Sequence, residues 1–168
     1  MKLKTKDIAI FAVIAAMMFA SKKLMEMIPN VHLLGMFIVA LTAVYRTRAL
    51  IPIYVYIMLD GMFGGFSTWW IPYLYIWAVL WAFTMLIPQK LPEPVKAVMY
   101  VLVCGLHGFA FGLLYTPAEA IIRGFTFEAA VMYWKLGLPF DLIHGISNLC
   151  TGLLIYPMVK ILKRLKKE

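Results

Sequence analysis

The last apolar segment of the chain, residues 139–162, places the strongest constraint on the fold. At a rise of about 1.5 Å per residue, a helix of this length crosses the hydrocarbon core of a bilayer. Four polar side chains nevertheless recur at spacings of 3, 4 and 3 residues and share one helix face: Asp141, His144, Asn148 and Thr151. A charged group in hydrocarbon costs about 2.5–3.5 kcal/mol even on mild insertion scales. We therefore expect this face to point into a helix bundle or a wet cavity.

Two interpretations of the polar face remain open. Its side chains either hold the bundle together by hydrogen bonds between helices, or form one wall of a ligand pocket. Asp141 lies near the predicted membrane interface, where it is also placed to pair with Lys135 or to cap the helix.

The composition places the whole chain in the membrane class. Hydrophobic residues make up 64 % of the 168 residues and charged residues 14 %, whereas soluble domains average about 45–50 % and 25 %. We expect an all-α integral membrane protein, with residues 1–168 forming a single six-transmembrane-helix bundle.

Six spans are expected at about residues 7–27, 32–45, 50–62, 69–87, 95–115 and 139–162. The longest connection, 116–137, alternates apolar and charged residues, which predicts an amphipathic helix on the surface over the mouth of the bundle. Gly105, Gly108 and Gly112 form a close-packing face on the fifth span, and His107 beside them is expected to be a hydrogen-bonded packing residue. Both cysteines, Cys104 and Cys150, are expected to pack inside spans without a disulfide.

The net charge of +8 indicates topology and not a nucleic-acid partner, because the basic residues lie at the ends of the spans. The terminal tails, the 46–48 turn and the 88–96 loop together hold twelve of the sixteen Lys and Arg residues. By the positive-inside rule both termini are expected in the cytoplasm.

The first span carries small residues at four-residue spacing: Ala12, Ala16 and Ala20. Such a face lets another helix backbone approach closely, and that helix belongs either to a partner or to this chain. At the end of the same span, Lys22 and Glu26 are spaced to form an ion pair.

The fourth span carries an aromatic face that includes Trp70, Tyr73, Trp77 and Trp81. Aromatic residues often form an interfacial belt or pack in the core. A continuous aromatic wall facing inward would instead suit stacking against a flat ring.

With both termini inside, polar and aromatic groups of several spans converge on the outer half of the bundle. These are the residues we expect to contact a small-molecule substrate: Asp141, His144, Asn148, Trp77, Tyr73, Trp70, Asp60, His32 and Trp134. Aromatic rings combined with Asp, His and Asn favour a flat heterocycle with hydrogen-bonding edges. No catalytic residue, cofactor or metal is assigned.

Two features carry a resemblance to a known family. A basic N-terminus precedes the A-x-x-x-A helix, and the run FDLIHGISN at 140–148 is followed by a basic tail. In this layout the chain resembles the substrate-binding S component of an energy-coupling factor (ECF) vitamin transporter of the prokaryotic plasma membrane. The nickel and cobalt branch of that family would carry a histidine at the second position. Lys2 stands there, which argues against a metal substrate.

The resemblance implies that this chain binds a small organic nutrient and has no enzymatic activity. Ala12, Ala16 and Ala20 would dock on a transmembrane coupling subunit. Two ATP-hydrolysing subunits would drive transport, since the glycine-rich stretch at 61–68 lacks the Lys that precedes Ser/Thr in a phosphate loop.

Two other classes stay open. A small membrane enzyme would use Asp141 and His144, three residues apart on a helix, as an acid–base pair. A membrane assembly or scaffold subunit would have no ligand, and the polar face would then be purely structural.

Overall fold

The computed structural model describes residues 4–167, which form eight α-helices and no strand. Their bounds are α1 Thr5–Met25, α2 Leu34–Tyr45, α3 Leu50–Gly64, α4 Tyr73–Met85, α5 Glu93–Phe109, α6 Phe111–Arg123, α7 Phe127–Gly152 and α8 Ile155–Lys167. Short 3₁₀ turns occupy Arg46–Ala49 and Thr68–Trp70. The all-helical fold class is confirmed, while Lys2 lies outside the described residues.

Helix α1 is joined near its start to the turn that precedes α3, and near its end to α3 itself. Asp7 at its start pairs with Arg48 at 3.3 Å, and Lys22 near its end pairs with Asp60 at 2.5 Å. The two helices therefore run parallel.

Helix α2 runs in the opposite direction to α1 and α3. The ring of Phe11 early in α1 lies 4.9 Å from that of Tyr45, the last residue of α2. Helix α1 ends beside Asp60, near the end of α3. The short connection that follows, at about 3.5 Å per extended residue, starts α2 at that same end of the bundle, so α2 runs back towards the start of α3. The reversal occurs at Arg46, whose φ of 54° interrupts the helix.

The later helices continue this alternation. In α4, Trp81 donates to the Arg46 carbonyl at 3.1 Å, and just before it Trp70 donates to the Ile57 carbonyl at 2.8 Å. Helix α4 is thus antiparallel to α3. Tyr75 in turn donates to the Leu114 carbonyl, which sets α5 and α6 antiparallel to α4.

Three stretches are long and apolar enough to cross a membrane, namely Thr5–Met25, Leu34–Gly64 and Glu93–Arg123. The bent pair Phe127–Gly152 and Ile155–Lys167 adds a fourth if it counts as one span. By length and composition the described residues therefore contain three or four candidate spans, and six transmembrane helices stay a prediction. The number of candidate spans is smaller than six partly because α2 and α3, which reverse at Arg46, are counted together as Leu34–Gly64. Helix α4, with 13 residues, is too short to be counted.

Two predictions about the last third of the chain are wrong. Residues 116–137 form no separate surface helix, because they belong to α6 and α7, which meet at a left-handed turn at Gly124 with φ 66°. Residues 139–162 are not one helix either, since α7 ends at Gly152 and α8 departs at 51°. Pro139 lies inside α7 and does not begin it, which membrane helices tolerate when neighbouring groups satisfy the freed carbonyl.

Helix α5 and the start of α6 pack against α7 through glycines, which confirms the predicted close-packing face. A Cβ atom on Gly108 would lie 2.9 Å from the Cα atom of Gly145 and from the carbonyl oxygen of His144. On Gly112 it would lie 2.5 Å from Asp141 Oδ2. Cys104 is buried on this side of α5, whereas Cys150 is exposed on α7, so the expected packing of Cys150 is wrong.

We expect Gly108→Ala to lower the free energy of unfolding by about 1–3 kcal/mol, because the added methyl group meets backbone atoms that cannot rotate away. Thermal melting of the purified protein in detergent measures this change. Gly137→Ala is the matched control, since nothing lies within 4 Å of the corresponding Cβ position in α7. Equal melting temperatures for the two variants would contradict the close-packing assignment.

Candidate functional site

Two adjoining cavities open at the end of the bundle where α1 ends and α7 begins. The smaller, of about 160 Å³, lies beneath the α1–α2 connection and is lined by Lys22, His32, His144 and neighbours. The larger, of about 560 Å³, lies between α4, α6 and α7. Asn30, Tyr73 and Phe111 line both.

Aromatic rings form the wall common to the cavities. The ring centroid of Phe111 lies 4.7 Å from that of His144 and 6.3 Å from that of Tyr73. Trp77 stands behind this wall, 1 % exposed, with its ring 5.7 Å from Tyr73. Of the predicted aromatic face of α4, Tyr73 therefore lines the site and Trp77 supports it.

His32 and His144 lie side by side, with ring centroids 4.7 Å apart. Among the described residues, neither ring nitrogen of His144 has a hydrogen-bond partner, nor does Nδ1 of His32. Within residues 4–167 no group of three His, Cys, Asp or Glu side chains is arranged to hold a metal ion.

The polar face of α7 is buried against α5 and α6. Oδ1 of Asp141 accepts a hydrogen bond from the backbone N–H of Gly112 at 2.8 Å, and Asn148 donates to the Cys104 carbonyl at 3.2 Å. Gly112 lies in the first turn of α6, so Asp141 caps that helix. Both contacts are structural, yet Oδ2 of Asp141 and Oδ1 of Asn148 are left without partners. Asp141 lines the larger cavity, whereas Asn148 lies deeper and lines neither.

Of the roles predicted for Asp141 besides substrate contact, the structure shows only helix capping. It caps a helix, but that helix is α6 and not its own. In the described part of the chain it forms no ion pair with Lys135, which is exposed, and no hydrogen bond with His144. The proposed acid–base pair is thus not assembled in this structure.

Besides Trp77 and Asn148, two further predicted site residues, Asp60 and Trp70, line neither cavity. Asp60 is buried and forms an ion pair with Lys22. The predicted pairing of Lys22 with Glu26 is therefore wrong, and Glu26 pairs with Lys23 instead, at 3.1 Å. Trp70 donates to a carbonyl of α3.

Trp134 does line the larger cavity, and its indole Nε1 atom has no partner. It comes from the outer part of α7, which the sequence analysis assigned to a separate surface helix.

Sequence reasoning missed the aromatic residues of α6. Phe111 and Tyr115 follow His107 at four-residue spacing, a pattern that predicts one helix face, and their rings stack 6.1 Å apart. All three residues lie inside the predicted fifth span, 95–115, but only its glycines and His107 were interpreted there. His107 itself is a hydrogen-bonded packing residue as expected, with Nε2 3.1 Å from the Ile76 carbonyl.

The alanine face of α1 is not packed against this chain. Ala12, Ala16 and Ala20 are exposed, and the opposite face of the helix, including Phe11 and Met18, enters the core. Of the two interpretations of this face, packing within the bundle is therefore wrong.

Comparison of the chain with family models, with curated proteins and with solved structures gives no match. The interpretation of the site accordingly rests on its geometry and on the chemistry of its residues.

We expect Asn148→Ala to destabilise the protein by about 1–3 kcal/mol, because the buried Cys104 carbonyl loses its side-chain partner. Ser147→Ala is the matched control one position earlier, since the buried Ser147 hydroxyl has no partner to lose. Thermal melts test stability, and calorimetry on the same preparations tests ligand affinity. A normal affinity in the folded fraction of Asn148→Ala would remove Asn148 from the predicted substrate contacts.

Proposed function

We propose that this protein is the membrane-embedded substrate-binding subunit of an ECF-type transporter. It captures a small organic nutrient, a flat heterocycle such as a vitamin or its precursor, from outside the cell. Partner subunits, one transmembrane coupling subunit and two that hydrolyse ATP, drive uptake. The chain itself is not an enzyme.

One observation carries this proposal: two adjoining cavities share an aromatic wall beside buried polar atoms that have no partner in the described chain. Folded proteins satisfy about nine-tenths of such atoms internally. Several unpaired atoms around one space favour a bound molecule that pairs with them. A flat heterocycle supplies a ring for Phe111 and Tyr73 and polar edges for His144 and Asp141.

The charge distribution supports six crossings with both termini in the cytoplasm of a prokaryote. Basic groups meet at one end of the bundle, where Arg48 pairs with Asp7 and Lys166 donates to the Val44 carbonyl at 2.9 Å. The cavities lie at the opposite end. Under the positive-inside rule that end faces outward, where a nutrient arrives.

The exposed face of Ala12, Ala16 and Ala20 supports a coupling subunit as partner. Small side chains allow a second helix backbone to approach closely in lipid, where shape and not apolarity drives association.

Small molecules that co-purify with the protein test the proposed function. We expect mass spectrometry to find one aromatic compound enriched with the wild type and depleted about tenfold with Phe111→Ala, which removes a ring from both cavities. Phe83→Ala is the matched control, because Phe83 is 56 % exposed on α4 and lines neither cavity. The enriched compound should also raise the melting temperature of the protein.

Two results would contradict the proposed function. If no compound is enriched and none from a nutrient mixture stabilises the protein, the protein is a scaffold subunit without a ligand. If the compound is converted to a product, the protein is an enzyme.

We expect the double variant Ala12→Leu, Ala16→Leu to abolish uptake in cells and leave ligand binding unchanged. The added side chains hold the coupling helix away, while both positions are exposed and line neither cavity. Ala82→Leu, which adds the same bulk at an exposed position of α4, should leave uptake intact. Loss of binding in the double variant would show that the face belongs to the fold of this chain.

A further inference from the structure

Three charged side chains line the two cavities: Lys22, Glu26 and Asp141. Lys22 is neutralised by Asp60, and Glu26 by Lys23. Asp141 has no ion-pair partner within residues 4–167. The uncompensated charge of the site is therefore negative.

The Asp141 carboxylate is only partly satisfied by the protein. It is 5 % exposed, and its Oδ1 atom accepts one hydrogen bond from Gly112 at the start of α6. Oδ2 is buried with no partner, although it belongs to a residue that lines the larger cavity. A buried carboxylate oxygen without a partner is stabilised by a hydrogen-bond donor or by a positive charge.

The walls around Asp141 are suited to a positive charge. Six aromatic residues line the larger cavity: Tyr73, Phe111, Tyr115, Tyr133, Trp134 and Phe140. The faces of aromatic rings carry a negative quadrupole that attracts organic cations. The protein already uses this attraction at the edge of the site, where Lys22 Nζ lies 5.0 Å from the ring centre of Tyr73. No basic side chain lines the larger cavity itself.

We propose that the site selects an organic cation, either a protonated amine or a positively charged nitrogen heterocycle, whose charge pairs with Asp141 inside the aromatic cavity. This inference rests on the proposed substrate-binding function and specifies the class of substrate. The imidazole rings of His32 and His144, which line the smaller cavity, would then contact polar edges of the same molecule.

Three pyridine probes of nearly equal shape test the charge selectivity: 1-methylnicotinamide, a cation; nicotinamide, which is neutral; and nicotinate, an anion. Calorimetry with the full-length protein in lipid nanodiscs at pH 7 measures each affinity. We expect the cation to bind about tenfold more tightly than the neutral probe, and the anion to bind most weakly.

Asp141→Asn keeps the acceptor for the Gly112 N–H and removes the charge, so the cation and the neutral probe should bind within about twofold of each other. Glu128→Gln is the matched control, because Glu128 is an exposed carboxylate of α7 that lines neither cavity. It should keep the tenfold preference. If Asp141→Asn does not fold, the order of the three probes on the wild type decides alone.

Equal binding of the three probes, preference for the anion, or no binding of the cation would overturn the inference. A cation preference that persists in Asp141→Asn would overturn the role of Asp141. The experiments separate this inference from the proposed function. A neutral or anionic compound that co-purifies and is taken up would refute cation selectivity and leave the proposed function intact. Absence of any bound compound would refute both.

Discussion

The contact of α7 with α5 and the start of α6 is the constraint on which the rest of the structure depends. Glycines at positions 105, 108 and 112 bring the backbones together, and the polar face of α7 then meets backbone groups instead of side chains. That is why Asp141 reaches the N–H of Gly112 and Asn148 reaches the carbonyl of Cys104. Larger residues would separate the helices and leave the same polar groups without these partners. The close approach also fixes Asp141 at the edge of the larger cavity.

The periodic features of this arrangement could be predicted from the sequence. Helical spacing alone places Asp141, His144 and Asn148 on one face, and the glycines of α5 on another. Both faces are buried, as the cost of polar groups in hydrocarbon requires.

Features that depend on contacts between distant segments could not be predicted. The i,i+4 rule favoured Lys22 with Glu26, but Asp60 approaches from α3 and takes Lys22 into a buried ion pair. Pro139 suggested a helix start, yet the helix continues through it. The cavity walls from α6 were missed for the same reason, since Phe111 and Tyr115 acquire their role only where α7 packs across them to enclose the larger cavity.

The ion pairs of α1 have a mechanical consequence. One ion pair, Asp7 with Arg48, links the start of α1 to the turn before α3, and another, Lys22 with Asp60, links the ends of the two helices. The alanine face lies on the exposed side of α1. Since Lys22 also lines the smaller cavity, a displacement of α1 together with α3 would move that part of the cavity wall with them.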